Sequence, residues 1–278
     1  MTLPDLSRLL DAANTSAALG VALASGQLFV AYQPRVRLDD RSIEGFEAFV
    51  RWQHPERGRI SAADFVSIAQ QTGQIVEIGQ FVFEQSLARA AVWNEITGLP
   101  QLSISVNCDV MQLTRARFVD DLDQLIRRNN LHPFQVIIEL PSSMLGHMAA
   151  LRNPIDQVRD LGARVALDDV SLNGVTTLAL ARLELDMLKI DRSLVHQVVH
   201  SDQRAIELVT ELASLAAERS MLVVAEGIED PNELNQLTDL GCDLAQGYFL
   251  GQPGLAAEAD ALVRLMAHRP AATSALRS

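Results

Sequence analysis

The chain alternates short apolar runs with longer amphipathic segments along most of its length. Runs such as Val136-Ile-Ile138, Val165-Ala-Leu167 and Met221-Leu-Val-Val-Ala225 are typical of strands covered on both faces, and segments of helical pattern separate them. Strands that alternate with helices imply βαβ units and a parallel sheet. About seven such units in about 240 residues predict an α/β protein with a single TIM-like (β/α)8 barrel domain, rather than an open doubly wound sheet.

The barrel is predicted to open with an N-terminal hairpin, made of strands over residues 28–38 and 43–52 around a turn at 39–41. Ser61 followed by Asp64 resembles a capping box that would begin a helix. Further helices are predicted near residues 76–97, 115–129, 148–161, 176–183, 201–219, 231–240 and 255–267. Strands are predicted between them at residues 102–106, 136–138, 165–167, 187–190, 221–225 and 244–245.

The barrel domain is expected to cover residues 27–268. Residues 1–26 have a loose helical pattern and form a predicted N-terminal helical extension, either docked on the barrel or connecting it to another domain. Residues 269–278 are rich in Pro, Ala and Ser and are expected to be a disordered tail.

Composition excludes several classes of function. The formal net charge of −12 argues against binding to DNA or RNA, whose backbone demands Lys and Arg. Two cysteines are too few for a disulfide framework or a four-thiolate zinc site, and they favour a reducing compartment. No apolar run approaches the roughly 20 residues of a membrane span, and the first residues lack a signal-peptide pattern. We therefore expect a cytoplasmic protein with no membrane or nucleic-acid partner.

Polar side chains lie in or directly after the predicted strands. They are Glu47, Asn107, Glu139, Asp168, Asp169, Lys189, Glu226 and Gln246. Because the carboxyl ends of parallel barrel strands meet at one mouth, we expect these side chains to converge there. The Asp168-Asp169 pair alone could be an exposed acidic turn, but a whole series of polar strand ends is harder to explain as surface.

These residue types indicate a particular chemistry. Carboxylate and amide oxygens are ligands for Mg²⁺, Mn²⁺ or Ca²⁺ rather than for a thiolate-type zinc site. Two such ions held close together support in-line phosphodiester cleavage, because they activate water and neutralise phosphoryl oxygens. A single lysine among the carboxylates could balance charge or hold the attacking water. None of the six histidines lies at a strand end, and nucleophile-elbow and glycine-rich nucleotide-binding motifs are absent.

A series of short motifs occurs in order between about Leu28 and Leu265. They are Tyr32-Gln33-Pro34, Glu47-Ala48-Phe49 with Arg51-Trp52, Ser105-Val-Asn107, Glu139-Leu140, Asp168-Asp169, Leu188-Lys-Ile-Asp191, Ala225-Glu-Gly-Ile-Glu229 and Gln246-Gly-Tyr248. In this order and spacing they resemble the EAL domain, the barrel of bacterial cyclic di-GMP phosphodiesterases, with Phe49 in place of the leucine that gives the family its name.

The resemblance implies a metal centre with two ions, Mg²⁺ or Mn²⁺, and inhibition by Ca²⁺. The implied ligands of the first ion are Glu47, Asn107, Glu139 and Asp168. Asp168 would bridge to a second ion, which Asp169 also binds.

The resemblance also implies catalytic and substrate-binding residues. Lys189 would lie beside the nucleophilic water, and Glu226 would act as general base or as a metal ligand through water. Gln33 and Arg51 would contact the dinucleotide, and Gln246 would complete the water network. Arg51 could instead form an ion pair with Glu47 or Glu139. The implied partner is cyclic di-GMP, and a homodimer or a protein partner stays open.

The chain departs from the family after the aspartate pair. Where the family usually has Phe-Gly-Thr-Gly-Tyr-Ser-Ser, residues 170–176 read Val-Ser-Leu-Asn-Gly-Val-Thr. Pro141 and Ser142 stand where a threonine and a supporting glutamate are usual. The sequence therefore predicts a weak or conditional cyclic di-GMP phosphodiesterase that yields linear pGpG. The alternatives are a catalytically inactive cyclic di-GMP receptor that signals through protein contacts, and a scaffold with a vestigial site.

Overall fold

The computed structural model describes residues 3–172, 180 and 183–267, with side chains from residue 14 onward except at 148 and 149. Most of the helical stretch predicted over residues 176–183, part of the 170–176 loop and the tail predicted over 269–278 lie outside the described residues. The division of the chain into an extension, a barrel domain and a tail stays a prediction.

Eight strands close into a barrel. The described strands are β1 (Leu28–Arg37), β2 (Ile43–His54), β3 (Gly58–Ile60), β4 (Ser103–Asn107), β5 (Val136–Pro141), β6 (Arg164–Val170), β7 (Met187–Ile190), β8 (Leu222–Glu226) and β9 (Leu244–Gln246). β1 pairs antiparallel with both β2 and β9, and β2 and β4 to β9 pair in parallel around the ring. β3 only extends β2 as a short hairpin. This arrangement confirms the predicted TIM-like barrel and its opening hairpin.

Helices surround the barrel. The described helices are α1 (Leu3–Ala24), α2 (Ala62–Thr72), α3 (Ile75–Thr97), α4 (Val110–Leu113), α5 (Phe118–Arg128), α6 (Met148–Asp160), α7 (Arg192–Val199), α8 (Gln203–Glu218), α9 (Pro231–Asp239) and α10 (Ala256–Ala267). Short 3-10 helices cover Pro133–Gln135 and Ser142–His147. Two of these helices, α4 and α7, were not predicted from the sequence. No helix among the described residues has both the length and the apolar character that a membrane span requires.

The predicted capping box at the start of α2 is wrong. Ser61 does precede the helix, but its side chain makes no capping hydrogen bond. Capping boxes occur instead at α4, with Asp109, and at α9, where Asp230 pairs with Glu233. A serine three residues before an acid is therefore a weaker signal than an aspartate that precedes a glutamate or glutamine at the same spacing.

The apolar runs are buried on both faces because each strand contributes to two cores. Val136 and Ile138 of β5 pack outward against the surrounding helices, whereas Ile137 points into the barrel. There it joins one residue from each of four neighbouring strands: Ala166, Met187, Val224 and Leu244. This alternation is the period-2 pattern of a strand with both faces covered.

A buried ion cluster lies at the amino-terminal end of the parallel strands, opposite the mouth formed by their carboxyl ends. The Arg35 guanidinium is fully buried, and its Nε and Nη2 lie 2.9 and 2.8 Å from Oε2 of Glu44. Arg164 Nη2 lies 3.3 Å from the other oxygen of Glu44, and Ser103 donates a hydrogen bond to Oε2 at 2.8 Å. Burial opposes ionisation of Glu44, but attraction by Arg35 and then Arg164 outweighs it and lowers its pKa to about 2.

Candidate active site

The carboxyl ends of the strands bring most of the predicted site residues to one cavity of about 300 Å³. The predicted residues that line it are Gln33, Glu47, Asn107, Asp168, Asp169, Glu226 and Gln246. Glu139 and Lys189 are fully buried beside it and join the cluster through direct contacts. Nine of the ten predicted site residues therefore belong to a single constellation.

Lys189 of β7 is the centre of this constellation. Its Nζ lies 3.0 Å from Glu47, 2.9 Å from Glu139, 3.2 Å from Asp168 and 2.8 Å from Glu226. The four carboxylates come from β2, β5, β6 and β8, so the lysine ties together strands from around the barrel. A buried ammonium is tolerated here because carboxylates surround it and two of them, Glu47 and Glu139, accept hydrogen bonds from it.

The two adjacent aspartates serve one site because the strand is irregular between them. In a regular strand, successive side chains point to opposite faces. Here the register of β6 against β7 shifts between Leu167 and Val170, and Asp169 adopts a left-handed backbone with φ of 57°. The result is that carboxylate oxygens of Asp168, Asp169 and Glu226 all lie within 4.8 Å of one another. A bulge that re-aims a side chain is common beside active sites.

Amide side chains orient Glu47. Asn107 donates a hydrogen bond to Oε1 of Glu47 at 2.9 Å, and Gln246 donates one to Oε2 at 2.8 Å. The second N–H of Gln246 donates to Gln33 at 3.0 Å, and Gln33 in turn donates to the carbonyl of Gly251 at 2.9 Å. Gln246 is thereby fixed with its carbonyl oxygen buried and without a hydrogen-bond partner among the described residues.

The pKa shifts show how strongly the carboxylates interact. Burial, and then repulsion by Glu47, raises the pKa of Glu139 well above its usual value. Burial raises the pKa of Glu226 to about 8, and burial and Asp168 together raise that of Asp169. Burial disfavours the charged form of Lys189, but the surrounding carboxylates outweigh it and raise the lysine pKa well above its usual value. One lysine therefore does not balance the charge of five acids.

The residues present fit divalent cations. Two overlapping groups have carboxylate oxygens close enough to share an ion, namely Glu47 with Glu139 and Asp168, and Asp168 with Asp169 and Glu226. Asp168 belongs to both groups. Glu139 Oε1 is buried with no hydrogen-bond partner among the described residues, as expected of an atom arranged for a ligand. Hard oxygen donors with excess negative charge suit Mg²⁺ or Mn²⁺, and the cluster could bind a metal.

Ser142 contacts the unusual loop. Its hydroxyl donates a hydrogen bond to the main-chain carbonyl of Asp169 at 2.9 Å. A short side chain therefore still ties the end of β5 to the segment after the aspartate pair, where the sequence suggested that support had been lost. Val170 is fully buried in β6 and pairs with Ile190, whereas residues 173–176 lie outside the described part of the chain.

Arg51 is the predicted site residue that does not line the cavity. Its guanidinium lies 5.0 Å from the Phe49 ring centroid, and Nη1 donates to the carbonyl of Val50 at 3.0 Å. It forms no ion pair with any described residue, so the suggested pairs with Glu47 and Glu139 are not formed. Its contact with the dinucleotide stays a prediction.

Sequence reasoning missed three features of the site. Arg35 lies 3.7 Å from the buried oxygen of Glu139 and connects the mouth to the ion cluster at the strand starts. A charged residue inside an apolar strand run was the available signal. Arg192 also lines the cavity, and so does Glu229, the last residue of the Ala225-Glu-Gly-Ile-Glu229 motif, for which no role was predicted.

Together, the closed barrel and the acidic cluster at its mouth define a (β/α)8 protein with a candidate divalent-metal centre. The family model for the EAL domain matches residues 16–253, so the chain belongs to the EAL-domain family. It is 33% identical over 239 residues to the bifunctional diguanylate cyclase/cyclic di-GMP phosphodiesterase MucR of Pseudomonas aeruginosa, which covers 84% of this chain and 34% of MucR. The chain thus spans about a third of the length of that curated relative.

Solved structures agree with this assignment. The MucR phosphodiesterase in complex with cyclic di-GMP matches with a TM-score of 0.82 and 31% identity, over 88% of this chain and 99% of that one. The EAL enzyme Bd1971, bound to cAMP and cyclic di-GMP, matches with a TM-score of 0.86 and 26% identity. That match covers 92% of this chain and 70% of Bd1971.

Proposed function

We propose that this EAL domain hydrolyses cyclic di-GMP to linear pGpG with two divalent cations, Mg²⁺ or Mn²⁺. The observation that carries the proposal is the convergence of five carboxylates at the barrel mouth, four of which contact Lys189. The substrate is supported by the relatives, since MucR is named for cyclic di-GMP phosphodiesterase activity.

The two overlapping acidic groups divide the metal ligands. Glu47, Glu139 and Asp168, with Asn107 beside Glu47, would hold one ion, and Asp168 with Asp169 would hold the other. When bound, such ions activate water and neutralise phosphoryl oxygens.

The chain's own side chains would then position the water and move its proton. Lys189 fixes four carboxylates and would present its ammonium beside the water. Glu226, which lies 2.8 Å from that ammonium, would accept the proton of the water. The water oxygen bonds to phosphorus as its proton passes to Glu226, one P–O ester bond breaks, and the leaving oxygen takes up a proton from solvent water. Gln246 offers its unpartnered carbonyl oxygen to the water network, and Gln33 and Arg51 contact the dinucleotide.

Turnover is expected to be weak or conditional. The residues that follow Asp169 differ from the family pattern, and loops that position metals and substrate affect rate strongly because small misplacements are costly. The hydrogen bond from Ser142 to Asp169 supports retention of some activity.

The test is a turnover assay with cyclic di-GMP in Mg²⁺ and in Mn²⁺, before and after chelation. We expect wild-type protein to release pGpG only with metal, and Asp168→Asn to fall to the metal-free background. Asp239→Asn, an exposed aspartate on α9, should keep wild-type turnover. Wild-type protein that is inert in both metals would contradict the proposal. If that inert protein still binds cyclic di-GMP in calorimetry, the receptor function replaces it.

A further inference from the structure

A single basic residue lies among the described residues that line the acidic cavity. The acidic lining residues are Glu47, Asp168, Asp169, Glu226 and Glu229, and the base is Arg192. A cyclic dinucleotide carries two negatively charged phosphodiester groups. Entry of such an anion into an acidic cavity is opposed unless positive charge faces it.

The fold positions Arg192 beside the site. Asp191 caps α7 by accepting a hydrogen bond from the main chain of Leu194 at 3.0 Å, which fixes the backbone of the first helical residue. Gly227 follows Glu226 with φ of 74°, and a Cβ atom there would lie 2.4 Å from Cγ of Arg192. The arginine stem therefore crosses the turn after β8 at a point where only glycine leaves room for it.

The head group of Arg192 is held loosely. Nη2 lies 2.5 Å from Oε1 of Glu229, and the two side chains are 67% and 54% exposed. Exposed ion pairs contribute little free energy because water competes for both charges. Displacement of Glu229 by a second anion would therefore cost little free energy.

We propose that Arg192 binds a phosphodiester group of the cyclic dinucleotide, and that it exchanges Glu229 for a phosphate oxygen when the ligand enters. The inference rests on the proposed function and adds a binding residue to the same site. A guanidinium suits this role because its planar fork can donate two parallel hydrogen bonds to phosphate. The Glu229 carboxylate competes with the ligand phosphate for the Arg192 guanidinium.

The first test is calorimetry with cyclic di-GMP, in Ca²⁺ so that the dinucleotide is not consumed. Arg192→Ala should weaken binding by about tenfold to a hundredfold, the range expected for a lost hydrogen bond to a charged group. Arg192→Met keeps an apolar stem over Gly227 and should lose as much, which separates charge from packing. The matched control is Arg204→Ala, an exposed arginine in the first turn of α8, which should bind like wild type.

The second test uses the competing acid. Glu229→Gln should tighten binding by up to about fivefold, in keeping with the weak free energy of an exposed ion pair. This gain in affinity should disappear when Glu229→Gln is combined with Arg192→Met, because the ion pair between residues 192 and 229 is then already absent. Wild-type affinity in Arg192→Ala and Arg192→Met would overturn this inference alone. Wild-type protein that does not bind the dinucleotide would overturn the inference together with cyclic di-GMP as its ligand.

Discussion

Asp169 illustrates how one backbone angle decides the chemistry at the scale of a residue. An Asp-Asp pair at the end of a strand would normally direct its two carboxylates to opposite faces. The left-handed conformation of Asp169 and the register shift before Val170 bring both carboxylates toward Glu226. Aspartate tolerates this conformation better than most residues with a side chain.

Ser142 is the residue through which we expect this conformation to be maintained. Its hydroxyl donates to the carbonyl of Asp169, so Ser142→Ala should allow the aspartate pair to move. Turnover should fall by about threefold to tenfold, the equivalent of one ordinary hydrogen bond. The measurement is kcat/KM for cyclic di-GMP, with thermal unfolding as the check that the fold is unchanged.

A matched serine provides the control for this variant. Ser67 likewise donates to a main-chain carbonyl, but it is exposed, lies on α2 and bonds to Asp64, whereas Ser142 is half-buried. Ser67→Ala should leave kcat/KM unchanged. If both variants behave alike, Ser142 has no special role in positioning Asp169.

At the scale of elements, the loops after β8 and β9 close the mouth by direct backbone contact. Ile228 donates its N–H to the carbonyl of Gln246 at 3.1 Å, and Phe249 donates to the carbonyl of Ile228 at 3.0 Å. Gly247 lies between these bonds. A Cβ atom there would lie 2.1 Å from the nitrogen and 2.3 Å from the oxygen of Ile228.

Gly247→Ala should therefore force the two loops apart. We expect a loss of about 1–3 kcal/mol in the free energy of unfolding, as for other overpacked sites. Turnover should also fall, because Gln246 and Glu226 directly precede the displaced segments. Urea unfolding and the turnover assay measure the two effects.

Gly146→Ala is the comparison for this substitution. Gly146 is exposed, and a Cβ atom there would meet nothing within 4 Å. Its free energy of unfolding should stay within about 0.5 kcal/mol of wild type. A Gly247→Ala protein as stable as this control would show that the loops can separate freely.

For the molecule as a whole, the barrel interior carries charge at both ends. The acidic cluster around Lys189 lies at the mouth, and the Arg35–Glu44–Arg164 cluster lies at the amino-terminal end of the parallel strands. The apolar layer that contains Ile137 lies between the two clusters. Arg35 approaches Glu139 at 3.7 Å and connects them. Buried ions in such a position are tolerable only when paired, so the stability of the barrel depends on the ionisation of Glu44.

This dependence predicts how stability changes with pH. The pKa of Glu44 falls from its usual 4.5 to about 2 on folding. The group therefore stabilises the fold fully above about pH 4.5, by about 3 kcal/mol, and this contribution declines as pH falls toward 2. Glu44→Gln should lack this part of the pH dependence. Between pH 7 and pH 3 its free energy of unfolding should fall by about 2 kcal/mol less than that of wild type.

Urea unfolding at several pH values between 7 and 3 measures this difference. The slopes are compared rather than the absolute stabilities, because Glu44→Gln also leaves Arg35 and Arg164 without their counter-charge. Glu56→Gln, an exposed glutamate in the turn after β2, should follow the wild-type pH dependence. Parallel curves for Glu44→Gln and wild type would contradict the prediction.

Much of the fold could be predicted from sequence because its signals are local. The apolar runs of β7 and β8 and the helical pattern of α3 identify these elements within one residue, whereas β5 continues three residues past its predicted end. The short α4, and α7 after Asp191, escaped because one or two turns of helix have no distinct period. The capping box at Ser61 failed because a side-chain bond depends on geometry that the spacing does not fix.

The sequence by itself determined the barrel, the family and the acidic residues at the strand ends, since periodicity and motif order do not depend on distant contacts. The tertiary structure decided how those residues meet. Lys189 contacts Glu47 across 142 positions of the chain, and Arg51 lies outside the cavity although it is four residues from Glu47. Such contacts follow from barrel closure and from the bulge at Asp168-Asp169, because strand pairing and backbone angles set where each side chain points.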